Sequence, residues 1–139
     1  MTNSNKLDKN TQTIEDIFSA IPSLFIPRKN NEINGVYQVI FNDLNYHWYT
    51  IIEGHKCRAY QGVHEIPIVS MTLLSSDLIK IIYGDLNETY ALMTKKMQLK
   101  GDIIKAIKYQ GYFILKISKM RSRPYLQERS AFIGDLHYD

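Results

Sequence analysis

Three side chains able to bind a metal or act as a nucleophile lie close together in the sequence: His55, Cys57 and His64. On a strand, residues two apart share one face, so His55 and Cys57 form a potential pair of ligands. A zinc site needs three or four ligands with oriented supporting groups, and a nucleophilic cysteine needs a depressed pKa; the sequence predicts neither. The carboxylates also form no recognisable acid–base pair. We therefore expect surface histidines and a packed thiol, with no metal, no cofactor and no catalytic residue.

The basic residues are concentrated in one segment. Of 17 Lys and Arg residues, nine lie in residues 95–123, where Asp102 is the single acid. Gly101 within this segment is isolated, so a phosphate loop, which needs successive backbone N–H groups, is excluded. Aromatic residues there could stack on bases, but their apolar spacing favours core packing and makes nucleic acid an unlikely partner. A solvated helix face or contact with an anionic membrane surface fits the basic segment better.

The length and composition place bounds on the architecture. A chain of 139 residues with a net charge of +3 fits one domain with a real hydrophobic core. A single cysteine excludes an intrachain disulfide, and no apolar run approaches the ~20 residues of a transmembrane helix. Residues 1–12 are polar and without period, which predicts a disordered N-terminal lead and no signal peptide. We therefore expect a cytoplasmic protein.

Regular elements must position these residues. An amphipathic helix is predicted from Thr13, where a capping residue precedes apolar positions at helical spacing. Aromatic and β-branched residues with short connections then predict four strands forming an antiparallel meander. These predicted strands cover residues 35–42, 46–53, 56–61 and 68–74. On the third of them, the alternation places Cys57 and Ala59 on the buried face and the basic side chains on the wet face.

Two short helices, a strand and a further helix are predicted to follow. Ser75 begins the first helix, Gly84 ends it, and Asp85 is predicted to cap the second. A strand at 97–100, a turn at Gly101 and a helix from residue 102 complete the order. In this last helix Ile103, Ile104 and Ile107 are predicted to face inward, while Lys105 and Lys108 point outward. Strands grouped in one block indicate an α+β fold: a mostly antiparallel sheet covered on one face by helices.

Read in order, these segments resemble the sterol carrier protein type-2 domain family over about residues 14–113. Each motif alone is loose, and the specificity lies in their order and spacing. The matching segments are GVYQVIF from Gly35, WYTIIEG from Trp48, CRAYQG from Cys57, VSMTLLSSDL from Val69, IYGDL from Ile82 and MQLKGD from Met97.

The resemblance implies a five-stranded sheet and an apolar tunnel that holds a fatty acid, a fatty acyl-CoA, a sterol or another lipid. It implies a non-catalytic carrier domain over residues 13–119, with residues 120–139 as a C-terminal extension. The side chains predicted to line or gate the tunnel are Phe18, Ile21, Leu24, Trp48, Ile79, Ile82, Leu92, Ile103, Ile107 and Phe113. The alternative left open is a tunnel filled by its own aromatic residues Trp48, Tyr83, Tyr90 and Phe113.

The sequence departs from the family at Lys95, where relatives often have a glycine before the last strand, so lysine must make that turn or the turn differs. Two other functions stay open. An enzyme or accessory protein could use the same pocket for an apolar metabolite, with His47, Tyr49 or Cys57 as polar candidates. An interaction module could use the basic helix and the tail. The ligand, the pathway and the oligomeric state are not determined by the sequence.

Overall fold

The computed structural model describes the backbone of residues 2–26 and 33–109, with side chains from residue 8 onward. Predictions for Phe113 and for the 120–139 extension lie outside the described residues. Within the described ranges, no helix has the length and hydropathy needed to cross a bilayer.

Five strands form one sheet in the order β3-β2-β1-β4-β5. Three of its four strand pairs are antiparallel, and β4 lies parallel to β1. The predicted α+β class, with a mostly antiparallel sheet, is confirmed, whereas the predicted four-strand meander is wrong at its last step. The strands are β1 (Gly35–Phe41), β2 (Trp48–Glu53), β3 (Lys56–Gln61), β4 (Val69–Leu73) and β5 (Met97–Gly101).

The parallel pair arises because the chain crosses back over the sheet between β3 and β4. Gln38, on β1, secures this crossover and is 2% exposed. Its Nε2 donates to the carbonyl oxygens of Trp48 and Gly62, both at 3.0 Å, and its Oε1 accepts from the His64 amide at 2.8 Å. A buried amide must satisfy its hydrogen-bonding groups, so Gln38 links two strands to the crossover. The short connection alone did not indicate this route.

The helices are α1 (Thr2–Leu24), α2 (Ser75–Ile82), α3 (Glu88–Met93) and α4, described over residues 103–109. The prediction of a disordered lead at 1–12 and a helix start at Thr13 differs from the structure, because α1 begins at Thr2. Adding residues to an existing helix costs much less than nucleating one, so the apolar turns from Ile14 support the polar turns before them. Asn10 Nδ2 also donates to Ser75 Oγ at 3.1 Å, which ties this extension to α2.

The start of α2 at Ser75 is confirmed, and Gly84 adopts a positive φ of 81° just after its end. The start of α3 differs from the prediction. Its cap is Asn87, whose Oδ1 accepts from the Tyr90 amide at 3.0 Å, rather than Asp85. Asp85 is instead part of the end of α2, where its amide donates to the Lys80 carbonyl oxygen at 2.7 Å.

Two backbone positions shape the route into and out of β5. Lys95 has φ 63°, so lysine makes the left-handed turn that glycine would adopt more easily, as one predicted alternative required. Gly101 has φ 112°, and a Cβ there would collide with the carbonyl oxygen of Ile68. The Asp102 amide donates to that same oxygen at 3.0 Å. Gly101 therefore allows the start of α4 to lie directly against the beginning of β4.

Candidate functional site: the space between the sheet and α4

One face of the sheet carries the apolar core. Alternate residues of β1 and β2, including Tyr37, Val39, Trp48 and Thr50, are buried on this face. Phe18 of α1 stacks on Trp48 with ring centroids 5.3 Å apart and planes 8° apart. We call this the helix-facing side of the sheet. It provides the apolar surface against which the helices pack.

Helix α4 packs against this apolar surface through Ala106 and Tyr109. Ala106 is 2% exposed, and the Tyr109 ring stacks on Tyr37 with centroids 4.2 Å apart. The Tyr109 hydroxyl shares a 2.8 Å hydrogen bond with Thr50 Oγ1. Burial raises the pKa of Tyr109, so its hydroxyl is neutral.

A small cavity remains between α4 and the sheet, with a volume of about 10 Å³. That is room for about one water molecule, whereas small-molecule pockets have volumes of roughly 300–1,000 Å³. This cavity, as the described residues line it, is therefore too small for a lipid. The cavity walls are formed by Tyr37, Gln38, Val39, Val69, Met71, Leu99, Ala106 and Tyr109.

The isoleucines of α4 lie on its outer side, contrary to the predicted inward orientation. Ile103, Ile104 and Ile107 are 46%, 67% and 60% exposed, respectively. Lys105 and Lys108 are half-buried instead of pointing outward.

Polar contacts at the start of α4 set this orientation. Asp102 Oδ1 accepts from the Lys105 amide at 3.1 Å, which caps the helix. Lys105 Nζ also donates to the Asn34 carbonyl oxygen at 3.3 Å. These contacts, together with the close approach at Gly101, decide which side of α4 meets the sheet, and amphipathic spacing does not.

The other predicted tunnel residues are placed as follows. Phe18, Ile21, Trp48 and Ile82 are buried in the core, and Leu24, Ile79 and Leu92 are partly buried against it. None of these residues lines the small cavity beside α4.

The polar candidates do not converge. Burial raises the pKa of the Cys57 thiol to about 12, which makes it a poor nucleophile at neutral pH. His47 Nδ1 accepts from the Phe41 amide at 3.1 Å, so it braces the turn before β2. Tyr49 lies on the other side of the sheet, with its ring 5.2 Å from that of His64.

The residues considered for a metal site are also separated. Cys57 faces the helices, while His55 is exposed in the turn before β3. His64 Nδ1 accepts from the Ile66 amide at 3.1 Å, within its own crossover. Among the residues whose side chains are described, no group of three or more His, Cys, Asp or Glu is arranged to hold a metal ion.

Sequence reasoning did not select Tyr37, Thr50 and Tyr109, whose side chains meet between α4 and the sheet. Strand alternation was sufficient to place Tyr37 and Thr50 on one face, because they are cross-strand neighbours. For Tyr109, the apolar spacing of the aromatic residues in the basic segment favoured core packing, but it did not place the residue on the side of α4 opposite the isoleucines.

Comparisons with known proteins agree with this fold. Residues 27–113 match the model of the SCP-2 sterol transfer family. Hydroxysteroid dehydrogenase-like protein 2 of Danio rerio is 30% identical over 113 residues, which cover 77% of this chain and 26% of that protein. The chain thus spans about a quarter of the length of the curated relatives it matches.

Two solved structures from the mosquito Aedes aegypti share the fold. The crystal structure of sterol carrier protein 2 like 2 is 25% identical with a TM-score of 0.60, covering 74% of this chain and 95% of that one. The solution structure of the same protein in palmitated form is 26% identical with a TM-score of 0.55, covering 69% and 86%. With the family model matching more than half of its length, this chain belongs to the SCP-2 sterol transfer family.

Proposed function

We propose that this protein is a non-catalytic lipid carrier. The ligand, a fatty acid, a fatty acyl-CoA, a sterol or a similar apolar molecule, lies in a tunnel between the helix-facing side of the sheet and the helices. The observation that carries the proposal is the contact between α4 and the sheet. There, the stacked rings of Tyr37 and Tyr109 line a small apolar cavity. Membership of the family and the palmitated mosquito relative support the same function.

The energetics suit a carrier. Burying a 16-carbon chain has a gross value of roughly 13 kcal/mol, at ~0.8 kcal/mol for each CH₂ group. Part of this burial free energy is offset by the cost of making room between α4 and the sheet and of ordering the ligand. The stability of the lipid in its own membrane or micelle offsets a further part. Binding that remains exchangeable is what transfer between membranes requires.

The ten predicted side chains remain our proposal for the tunnel wall. The hydrophobic core includes Phe18 and Ile21 of α1, Ile82 of α2 and Trp48 of β2. The outer position of the α4 isoleucines means that they contact a ligand only if α4 moves.

Docking on an anionic membrane is the second part of the proposal. Lys95, Lys96 and Lys100 are exposed at the two ends of the turn and strand that precede α4. Each lysine near an anionic surface contributes about 1 kcal/mol of attraction. We expect co-sedimentation with vesicles containing phosphatidylserine and none with phosphatidylcholine alone. Equal recovery with both vesicle types would contradict an electrostatic role.

Lipid binding is tested with the purified full chain. Native mass spectrometry after mild purification should show a co-purified lipid, and a fluorescent fatty acid should bind with a saturable signal. The absence of both would refute the carrier function. The free, buried thiol of Cys57 is compatible with the proposed cytoplasmic location, where thiols stay reduced.

A second candidate is an accessory domain that presents an apolar substrate to an enzyme. It is favoured by the dehydrogenase-like relatives, of which a chain of this length covers only about a quarter. Because His47, Tyr49 and Cys57 do not converge, the chemistry would belong to the partner. Copurification with an enzyme whose turnover rises when this protein is added would support the role. An unchanged turnover would contradict it.

A further inference from the structure

One side chain of α4, Tyr109, packs on the sheet beside the small cavity. The Tyr109 ring lies 4.2 Å from that of Tyr37, with planes 17° apart, and its hydroxyl is 2.8 Å from Thr50 Oγ1. Thr50 is 0% exposed and Tyr109 is partly buried, so this hydrogen bond joins the core to the inner side of α4. An apolar body with one hydroxyl at its end is also the chemical pattern of a long-chain alcohol or a similar lipid.

Tyr109 is partly buried between α4 and the sheet, and about 10 Å³ of cavity remains beside it. A ligand chain at this position therefore requires Tyr109 to leave. Removing it would also free Thr50 Oγ1, which would then need a new hydrogen-bond partner in the core.

Over the described residues of α4, 103–109, Ala106 and Tyr109 pack towards the sheet, while Ile103, Ile104 and Ile107 are turned away from it. An exposed isoleucine loses little burial when the helix lifts or turns about its axis. Among these described residues, Tyr109 is the largest side chain whose packing such a movement breaks.

We propose that Tyr109 is an internal competitor for the ligand. Its side chain fills part of the ligand site, and an entering lipid displaces it and takes over its hydrogen bond to Thr50. The inference rests on the proposed carrier function and adds how the site is closed and which atom the ligand's polar end meets.

The position of the Tyr109 hydroxyl favours a neutral oxygen over an anion. Desolvation raises the pKa of Tyr109, the hydrogen bond to Thr50 lowers it, and the electrostatic influence of Cys57 and Tyr37 raises it further. The net direction is upward, which means that negative charge is disfavoured there. A lipid with a hydroxyl end therefore suits Thr50 better than the ionised carboxylate of the same chain length.

The test compares 1-hexadecanol with palmitate, which differ in the polar end, by displacement of a fluorescent lipid from the full chain. Tyr109→Ala removes the competitor and should tighten hexadecanol binding about tenfold, as expected for losing one aromatic stack and one hydrogen bond. Tyr109→Phe keeps the ring and frees Thr50. Its affinity for hexadecanol should therefore lie between those of the wild type and Tyr109→Ala. Thr50→Val should abolish the preference for the alcohol. Tyr60→Ala, on the other side of the sheet, should bind like the wild type.

The outcomes separate this inference from the carrier function. If the wild type binds both lipids and Tyr109→Ala binds them no more tightly, the competitor role is refuted and the carrier function stands. If no variant binds either lipid, both fail. Equal gains for alcohol and acid would support displacement and overturn the preference for a neutral oxygen.

Hydrogen exchange on the wild-type chain provides a check that does not depend on a variant folding. The amides of α4 should lose protection when hexadecanol binds, because Tyr109 must leave the sheet. Unchanged or increased protection of residues 103–109 at saturating hexadecanol would contradict the displacement.

Discussion

Lys95 makes a turn in a backbone conformation that suits glycine, and replacing it should stabilise the protein. Its φ is 63°, at the end of α3, where its amide donates to the Leu92 carbonyl oxygen at 3.2 Å. Among the described residues it is the one non-glycine residue with a positive φ. The lysine side chain is exposed, so few packing contacts depend on it. The change Lys95→Gly therefore tests the backbone alone.

Two opposing terms set the magnitude. A residue with a Cβ pays roughly 1–2 kcal/mol in the left-handed conformation, which glycine avoids. Glycine loses more chain entropy on folding, which costs roughly 0.5–1 kcal/mol. The difference predicts that Lys95→Gly raises the free energy of unfolding by about 0.5–1 kcal/mol. For a domain of this size the midpoint temperature should rise by about 2–6 °C.

Urea denaturation followed by circular dichroism measures the change, with the same m-value required in all variants. Lys96→Gly is the matched control. It is the neighbouring exposed lysine without a positive φ, and glycine there should cost roughly 0.5–1 kcal/mol. Lys95→Ala keeps the Cβ and removes the charge, so it should show little gain. If Lys95→Ala stabilises as much as Lys95→Gly, charge and not backbone conformation is the cause, and the reasoning is wrong.

Two further predictions concern backbone approach and pH. Gly101→Ala should destabilise the protein by at least about 2 kcal/mol in the same assay, because a Cβ collides with a backbone oxygen at φ 112°. Gly54→Ala, at φ 59° with no atom within 4 Å of the added Cβ, should cost only about 1 kcal/mol; equal losses would argue against the collision. The Cys57 pKa is raised from 9.0 to about 12. The thiol's contribution to the free energy of unfolding is therefore full below pH 9 and is lost as the pH rises towards 12. The wild type should therefore lose up to about 1.4 kcal/mol per pH unit relative to Cys57→Ala in this window, and parallel pH profiles would contradict the assigned burial.

Local sequence signals predicted elements whose cause is also local. The alternation of β3 placed Cys57 in the core and Arg58 outside, as observed. Asp102 begins α4 as predicted, because its carboxylate can accept from an amide three residues later. Such features depend on contacts within a few residues, which the order of residue types describes directly.

The start of α1 and the place of β4 depended on distant contacts. The polar turns of α1 have no apolar pattern of their own, but Asn10 reaches Ser75 of α2. The route to β4 requires Gln38 to hold the crossover, and this side chain joins groups 10 to 26 residues away from it along the chain. A short connection is compatible with either a hairpin or a crossover, so length alone did not distinguish them.

The sequence by itself determined the family and the strand alternation, because these follow from residue types in order. Only the tertiary structure decided which side of α4 meets the sheet. The spacing of its isoleucines indicates an apolar stripe but not the direction in which it points. The Gly101 crossing and the Asp102 cap fix that direction and bring Tyr109 onto Tyr37 and Thr50. Tyr109 thus lies between α4 and the sheet, since packing in three dimensions, and not periodicity, selects the side chain that fills a space.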